Sequence, residues 1–112
     1  MEFNTDSIYA FAYISENIMQ GKITETKQLG QIAKLVRKHQ GLDQATTASL
    51  SGNGTTFTSE FENGKPTVEI GRVLNVLDAL GITVTLDILM QTDMLSVKEK
   101  SLLELIIKDP SL

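Results

Sequence analysis

Closely spaced glycines in the middle of the chain constrain the fold more than any other feature of this sequence. Gly41, Gly52 and Gly64 each follow a short segment that begins with helix-starting signals. Glycine at the end of a helix takes up the left-handed backbone conformation at no steric cost, so it is a frequent helix terminator. The segments between these glycines, 44–51 and 55–62, are therefore predicted to be short helices of about two turns each.

Longer amphipathic segments flank the two short ones. Apolar residues recur at helical spacing over 26–40 and again over 67–80, where Gly81 stops the pattern. Such spacing puts one apolar stripe on each predicted helix, and Phe57 and Phe61, four residues apart, share a face of the short helix 55–62. The expected core positions of the long helices are Leu29, Ile32, Ala33, Val36, Ile70, Val73, Leu74, Leu77 and Leu80.

The two ends of the chain add further elements. Residues 7–20 show a helical pattern behind Asp6, and Ser96 with Glu99 forms a capping box that opens a C-terminal helix ending at Asp109. Residues 82–89 alternate apolar and polar side chains and are β-branched, which predicts a strand. No partner strand is readable in the chain, so we expect this strand to pair with its copy in a second subunit. The predicted fold is mainly α, divided into an N-terminal helical extension (1–25), a central domain (26–82) and a C-terminal strand and helix (83–112).

Composition narrows the possible functions. The chain has 112 residues, no Cys and a single His at position 39. It therefore has no ligand set for structural zinc, no thiol nucleophile and no Ser-His-Asp constellation, and we expect neither an enzyme nor a bound metal or cofactor. The N-terminal residues are acidic rather than basic and no apolar run is long enough for a membrane span, which favours a cytoplasmic protein.

Charge is unevenly distributed along the chain. The formal net charge is −4, yet residues 22–65 hold six basic and four acidic side chains. Residues 1–21 and 66–112 are acidic, with −3 each. A mildly basic segment between acidic ones is compatible with a DNA-binding face beside a protein-binding surface, and equally with random scatter over an acidic protein. Lys34 and Lys38, on the polar side of their helix, are interpreted as a solvated face.

Two short helices joined by a glycine-containing turn and braced by longer helices form a helix-turn-helix arrangement. Residues 29–82 resemble the Xre class of bacterial regulators, whose fold is lambda-repressor-like. The resemblance rests on Gly41-Leu42-Asp43-Gln44 at the entry to the first short helix, on Ala48 and Gly52, and on Phe61-Glu62-Asn63-Gly64-Lys65 after the second. Within that class, residues 54–82 with the following strand look most like HipB-type antitoxins.

The resemblance implies a role for several residues of the helix-turn-helix. The base-reading positions of the family fall on Thr55, Thr56, Ser59 and Glu60. The phosphate-contacting positions fall on Gln44, Asn63 and Lys65, and Arg37 and Glu62 stand where the family forms a buried salt bridge. Thr47, Asn53 and Thr58 occupy sites that are usually apolar, so we expect a thinner core than is usual in the family.

The family also implies partners. A HipB-type protein is expected to be a homodimer that represses its own operon by binding palindromic operator DNA, and to be the antitoxin of a HipA-like serine/threonine kinase toxin. Two other functions stay open. One is a protein-interaction module that keeps the scaffold but reads DNA weakly, which Glu60, Asp43 and the acidic flanks favour. The other is a stand-alone repressor without a toxin.

Overall fold

The computed structural model describes residues 18–109 and residue 111. This part of the chain contains five α-helices and one turn of 3-10 helix at Thr92–Met94. The predicted helix 7–20 lies outside the described residues except for 18–20, which are not helical. The helices are α1 (Thr26–His39), α2 (Gln44–Ser51), α3 (Thr55–Glu62), α4 (Ile70–Ala79) and α5 (Val97–Lys108).

Local capping explains where most of these helices begin and end. The Asp43 carboxylate accepts a hydrogen bond from the Thr46 amide at 2.7 Å and starts α2. Capping boxes open α1 and α5. Gly52, with φ +71°, ends α2 in the left-handed conformation. The bounds predicted for α2 and α3 are confirmed, and α1 ends one residue earlier than predicted.

The start predicted for α4 was wrong by three residues. The helix begins at Ile70 rather than at Thr67, and Glu69 is its N-cap in an extended conformation. The reason lies in Val68, which packs against the hydrophobic core from the loop before the helix. A helical backbone from Thr67 onward would direct that side chain elsewhere.

The core lies between α1, α3 and α4. Its fully buried members come from these helices and from the residue that follows α4, and α2 packs against both α3 and α4. The stacked rings of Phe57 and Phe61, with centroids 6.1 Å apart, confirm that the two residues share a face. The buried apolar residues of this cluster are Ala33, Phe61, Val73, Val76, Leu77 and Leu80.

Polar residues replace part of the usual core, as the sequence predicts. Thr47 and Thr58 are completely buried. The Thr58 hydroxyl donates to the Gly54 carbonyl at 3.1 Å, whereas the Thr47 hydroxyl has no hydrogen-bond partner among the described residues. Asn53 is half-buried, and its amide donates to the Arg72 carbonyl at 3.2 Å, which ties the turn before α3 to α4.

Three of the expected core positions are not buried. Ile70 and Leu74 are exposed because the buried face of α4 passes through Val73, Val76 and Leu77. Ile32 of α1 is also at the surface. These side chains flank the core of a single chain and do not enter it.

The predicted strand 82–89 is not present in the described part of the chain. Strands exist through hydrogen bonds to a neighbouring strand, and the only backbone hydrogen bonds of this segment are local ones from Ile82 to Leu77 and from Met90 to Ile88. Beyond Ile82, which packs against the core, the segment is exposed. Helix α5 follows it and has no buried residue.

Candidate nucleic-acid interface

Helix α3 presents its first turn to the outside of the domain. Thr55 and Thr56 follow the N-cap Gly54 and are exposed, and Ser59 is half-buried on the same helix. Phe61 and Thr58 occupy the inner side of α3 and are fully buried. A helix held from one side with an exposed N-terminal turn has the geometry required for entry into the major groove of DNA.

A buried ion pair links this helix to α1. Two nitrogens of Arg37, Nε and Nη2, donate to the two carboxylate oxygens of Glu62 at 2.6 and 2.9 Å. The side chain of Arg37 is 8% exposed and that of Glu62 is not exposed at all. The remaining nitrogen, Nη1, donates to the Leu42 carbonyl at 2.7 Å in the turn between α1 and α2. The structure thus places together the two residues that the family resemblance pairs.

Gln44 joins the same network from the start of α2. Its amide donates to Oε1 of Glu62 at 3.0 Å, so one carboxylate holds residues of three segments. Burial alone would raise the pKa of Glu62, but the hydrogen bonds from Arg37 and Gln44 outweigh it and hold that pKa below its ordinary value. The hydrogen bonds to Glu62 in turn raise the pKa of Arg37 against the effect of its own burial. The pair is therefore ionised at neutral pH, and it fixes Gln44 beside α3.

The other expected contact residues lie at the end of α3. Glu60 and Lys65 are both exposed and form an ion pair with 3.3 Å between Oε1 and Nζ. This ion pair joins a residue expected to read bases with one expected to contact phosphate. Asn63, the C-cap of α3, is exposed next to them.

Arg72 is a residue of this region that the sequence patterns do not single out. Its guanidinium lies 5.9 Å from the centre of the Phe57 ring, a cation-π contact, and its Nε donates to Glu69 at 3.0 Å. Its carbonyl also accepts the hydrogen bond from Asn53. No local pattern indicates these contacts, because they join α4 to α3 across the fold.

The fold and these contacts agree with the comparisons to known proteins. No family model matches the chain. The chain is 39% identical over 66 residues to an uncharacterized HTH-type transcriptional regulator, y4mF, of Sinorhizobium fredii, and the match covers 59% of this chain and 87% of that protein. This chain belongs to the HTH-type transcriptional regulators.

Solved structures similar to this regulator are of HipB. A HipB-O4 20mer complex matches with a TM-score of 0.57 and 28% identity, over 63% of the regulator and 100% of the HipB chain. A HipA-HipB-O2-O3 complex matches with a TM-score of 0.58, the same identity and the same coverage. The likeness to HipB-type, Xre-like antitoxins that the sequence predicts is thereby confirmed. In the described part of the regulator, no helix is both long enough and apolar enough to cross a membrane.

Proposed function

We propose that the regulator is a sequence-specific DNA-binding repressor that places α3 in the major groove. The observation that carries this proposal is the exposed first turn of α3, held by the buried pair of Arg37 and Glu62. Thr55, Thr56 and Ser59 would bind base edges through their hydroxyls or pack a methyl group on thymine. Glu60 would accept a hydrogen bond from cytosine N4, with Lys65 moving from Glu60 to a phosphate.

Gln44 and Asn63 complete the proposed phosphate contacts. Gln44 stands at the start of α2, and its amide is held by Glu62. A side-chain amide in that place can join the DNA backbone to the helix that reads the bases. Phosphate contacts from both ends of the motif would fix the register of α3 in the groove without carrying sequence information themselves.

We propose further that the regulator is a homodimer joined through residues 82–90. The apolar side chains Val84, Leu86 and Ile88 of this segment are exposed in the single chain, and its backbone has no ladder partner there. Pairing with a second copy would bury these side chains and satisfy the backbone. Two helix-turn-helix units on a two-fold axis would then read a palindromic operator in the cytoplasm.

The similarity to a HipA-HipB complex supports a HipA-like serine/threonine kinase toxin as protein partner. The exposed apolar residues of α5, Leu102, Leu105 and Ile106, together with segment 83–96, offer surface for it. Mixing the purified regulator with the kinase encoded next to its gene should give a stable complex and reduced kinase activity. A neighbouring gene that encodes no such kinase would leave a stand-alone repressor.

DNA reading is tested by fluorescence anisotropy with a duplex from upstream of the gene and with a scrambled duplex, each at two salt concentrations. Tight binding of the upstream duplex that weakens steeply with salt is expected. Thr55→Ala, Thr56→Ala should lose the preference for the upstream duplex without unfolding. Ser101→Ala removes a hydroxyl from α5 and should leave the preference unchanged.

A second candidate function is favoured by the ion pair of Glu60 and Lys65. If Glu60 keeps Lys65, a carboxylate faces the phosphates and the lysine is withheld from them. The protein would then be an interaction module that retains the scaffold and reads DNA weakly. Equal, weak binding of both duplexes by a folded protein would establish that function and overturn the repressor.

A further inference from the structure

A groove lined by lysines lies beside α3 on the surface of α1. It has a volume of about 460 Å³ and is open to solvent along one side. Lys27, Lys34 and Lys38 of α1 line it, and Glu62 and Asn63 at the end of α3 close its other wall. The three lysines are seven and four residues apart, a spacing that puts them on one face of the helix.

The groove is strongly basic although the chain has a net charge of −4. None of the three lysines forms an ion pair with a carboxylate of the described residues. Glu62, the acidic residue of the lining, has both carboxylate oxygens bonded to Arg37. Lys34 nevertheless lies close enough to contribute to the lowered pKa of Glu62, so its charge is directed toward the wall formed by α3. The groove therefore presents three positive charges that no acidic side chain within it neutralises.

The groove is continuous with the surface proposed to meet DNA. Asn63 belongs both to the lining and to the proposed phosphate contacts. The aliphatic part of Lys27 packs against the turn at Gly64, where its Cγ lies 3.0 Å from the position of a Cβ. Lys65 follows that turn directly. A strand of DNA backbone that meets Asn63 and Lys65 would thus arrive at the edge of the groove.

We propose that Lys27, Lys34 and Lys38 bind phosphates of the same duplex that α3 reads, extending its contact with the DNA backbone along α1. Lysine ammonium groups on flexible stems suit phosphate oxygens, whose positions vary with DNA shape. The contact carries no sequence information, so it adds affinity for operator and other DNA alike. This proposal rests on the proposed function, and it replaces the interpretation of Lys34 and Lys38 as a merely solvated face.

The test compares two variants that remove the same amount of charge. Lys27→Gln, Lys34→Gln, Lys38→Gln removes the groove lysines, and Lys98→Gln, Lys100→Gln, Lys108→Gln removes three lysines of α5. Both variants have a net charge of −7, because three positive charges are subtracted from −4. Affinity for upstream and scrambled duplexes is measured over a series of salt concentrations, and circular dichroism checks that each variant is folded.

The groove variant should weaken binding to both duplexes by a similar factor of about ten or more at low salt. Its plot of log affinity against log salt should be shallower by about 0.9 for each phosphate that a lysine of either protomer no longer neutralises. The α5 variant should keep the slope of the wild type. Equal slopes for the groove variant, the α5 variant and the wild type would overturn the proposal while leaving the repressor function standing.

Two other outcomes separate the proposals. If the wild type binds both duplexes equally and the groove variant loses that binding, the groove contact stands and sequence-specific repression fails. If the wild type binds neither duplex at any salt concentration, both are overturned.

Discussion

The ion pair between Arg37 and Glu62 is the single-residue feature on which the motif depends most. It connects α1 to α3, and Arg37 and Glu62 also bond to the turn before α2 and to Gln44. Burying two charges costs solvation energy, so such a pair adds less to stability than its short distances suggest. Removing one partner is different, because the other is then left as a buried, uncompensated charge.

Glu62→Gln should therefore lower the free energy of unfolding by about 3–5 kcal/mol at pH 7. Because the folded pKa of Glu62 lies below its unfolded value, the stabilising effect is complete above the unfolded pKa, about 4.3, and is lost as pH falls through the folded pKa. The difference between wild type and variant in urea unfolding should shrink as pH is lowered below about 4.

The matched control for this prediction is Arg37→Met, Glu62→Met, which removes both charges together. It should cost less stability than Glu62→Gln, since no charge remains buried alone. A gap between wild type and Glu62→Gln that is constant from about pH 7 to about pH 3 would contradict the role given to the ionised pair.

Thr47 is the residue at which the polar core costs most. Its buried hydroxyl has no hydrogen-bond partner among the described residues. Thr47→Val keeps the shape and removes the hydroxyl, so the free energy of unfolding should rise by about 1 kcal/mol, measured by urea unfolding. Thr58→Val should bring no gain, because the Thr58 hydroxyl is bonded to Gly54. Equal effects of the two substitutions would show that the unpaired hydroxyl is not the cause.

At the scale of elements, the close approach of α1 to α3 decides where the recognition helix sits. A Cβ on Gly30 would lie 2.0 Å from the carbonyl oxygen of Phe61, which is backbone and cannot turn aside. Only glycine permits this distance between the helices. The packing places the end of α3 against α1 and so brings Arg37 within reach of Glu62.

Gly30→Ala should therefore push the two helices apart and lower the free energy of unfolding by about 1–3 kcal/mol. Gly71→Ala is the matched control within α4, since nothing lies within 4 Å of its added Cβ. It should raise stability by about 0.5–1 kcal/mol through its higher helix propensity. Thermal unfolding followed by circular dichroism would separate the two, and a stabilising Gly30→Ala would contradict the close approach of the helices.

At the scale of the whole molecule, the described part of one chain leaves much apolar surface uncovered. Leu86 and Leu89 are 82% and 97% exposed, and Ile70, Leu74 and all of α5 add to this surface. Exposed apolar surface of this extent in a folded protein indicates contact with another chain. The core around α1–α4 is closed, so that contact involves the C-terminal third of the chain.

Leu86→Lys should convert the regulator from dimer to monomer, because it puts a charge on the face shared by Val84 and Ile88. Light scattering after size exclusion should give about twice 12.3 kDa for the wild type and 12.3 kDa for the variant. Thr85→Lys lies on the alternate face of the proposed strand and should remain dimeric. A monomeric wild type, or a dimeric Leu86→Lys, would contradict pairing through this segment.

The sequence by itself determined the helices and their ends, because those depend on neighbours within one turn. Asp43, Gly52 and the capping box of Ser96 act through hydrogen bonds and backbone angles that span three or four residues, and α2 and α3 lie where these signals place them. The fold class and the family resemblance followed from the same short-range order.

Only the tertiary structure decided what depends on residues far apart in the chain. The bond from Gln44 to Glu62, the approach of Gly30 to Phe61 and the lysine groove of α1 each join segments more than fifteen residues apart. The strand predicted over 82–89 is the converse case. Its alternating pattern is a local property, but a strand forms only through hydrogen bonds to a partner, and one described chain supplies none.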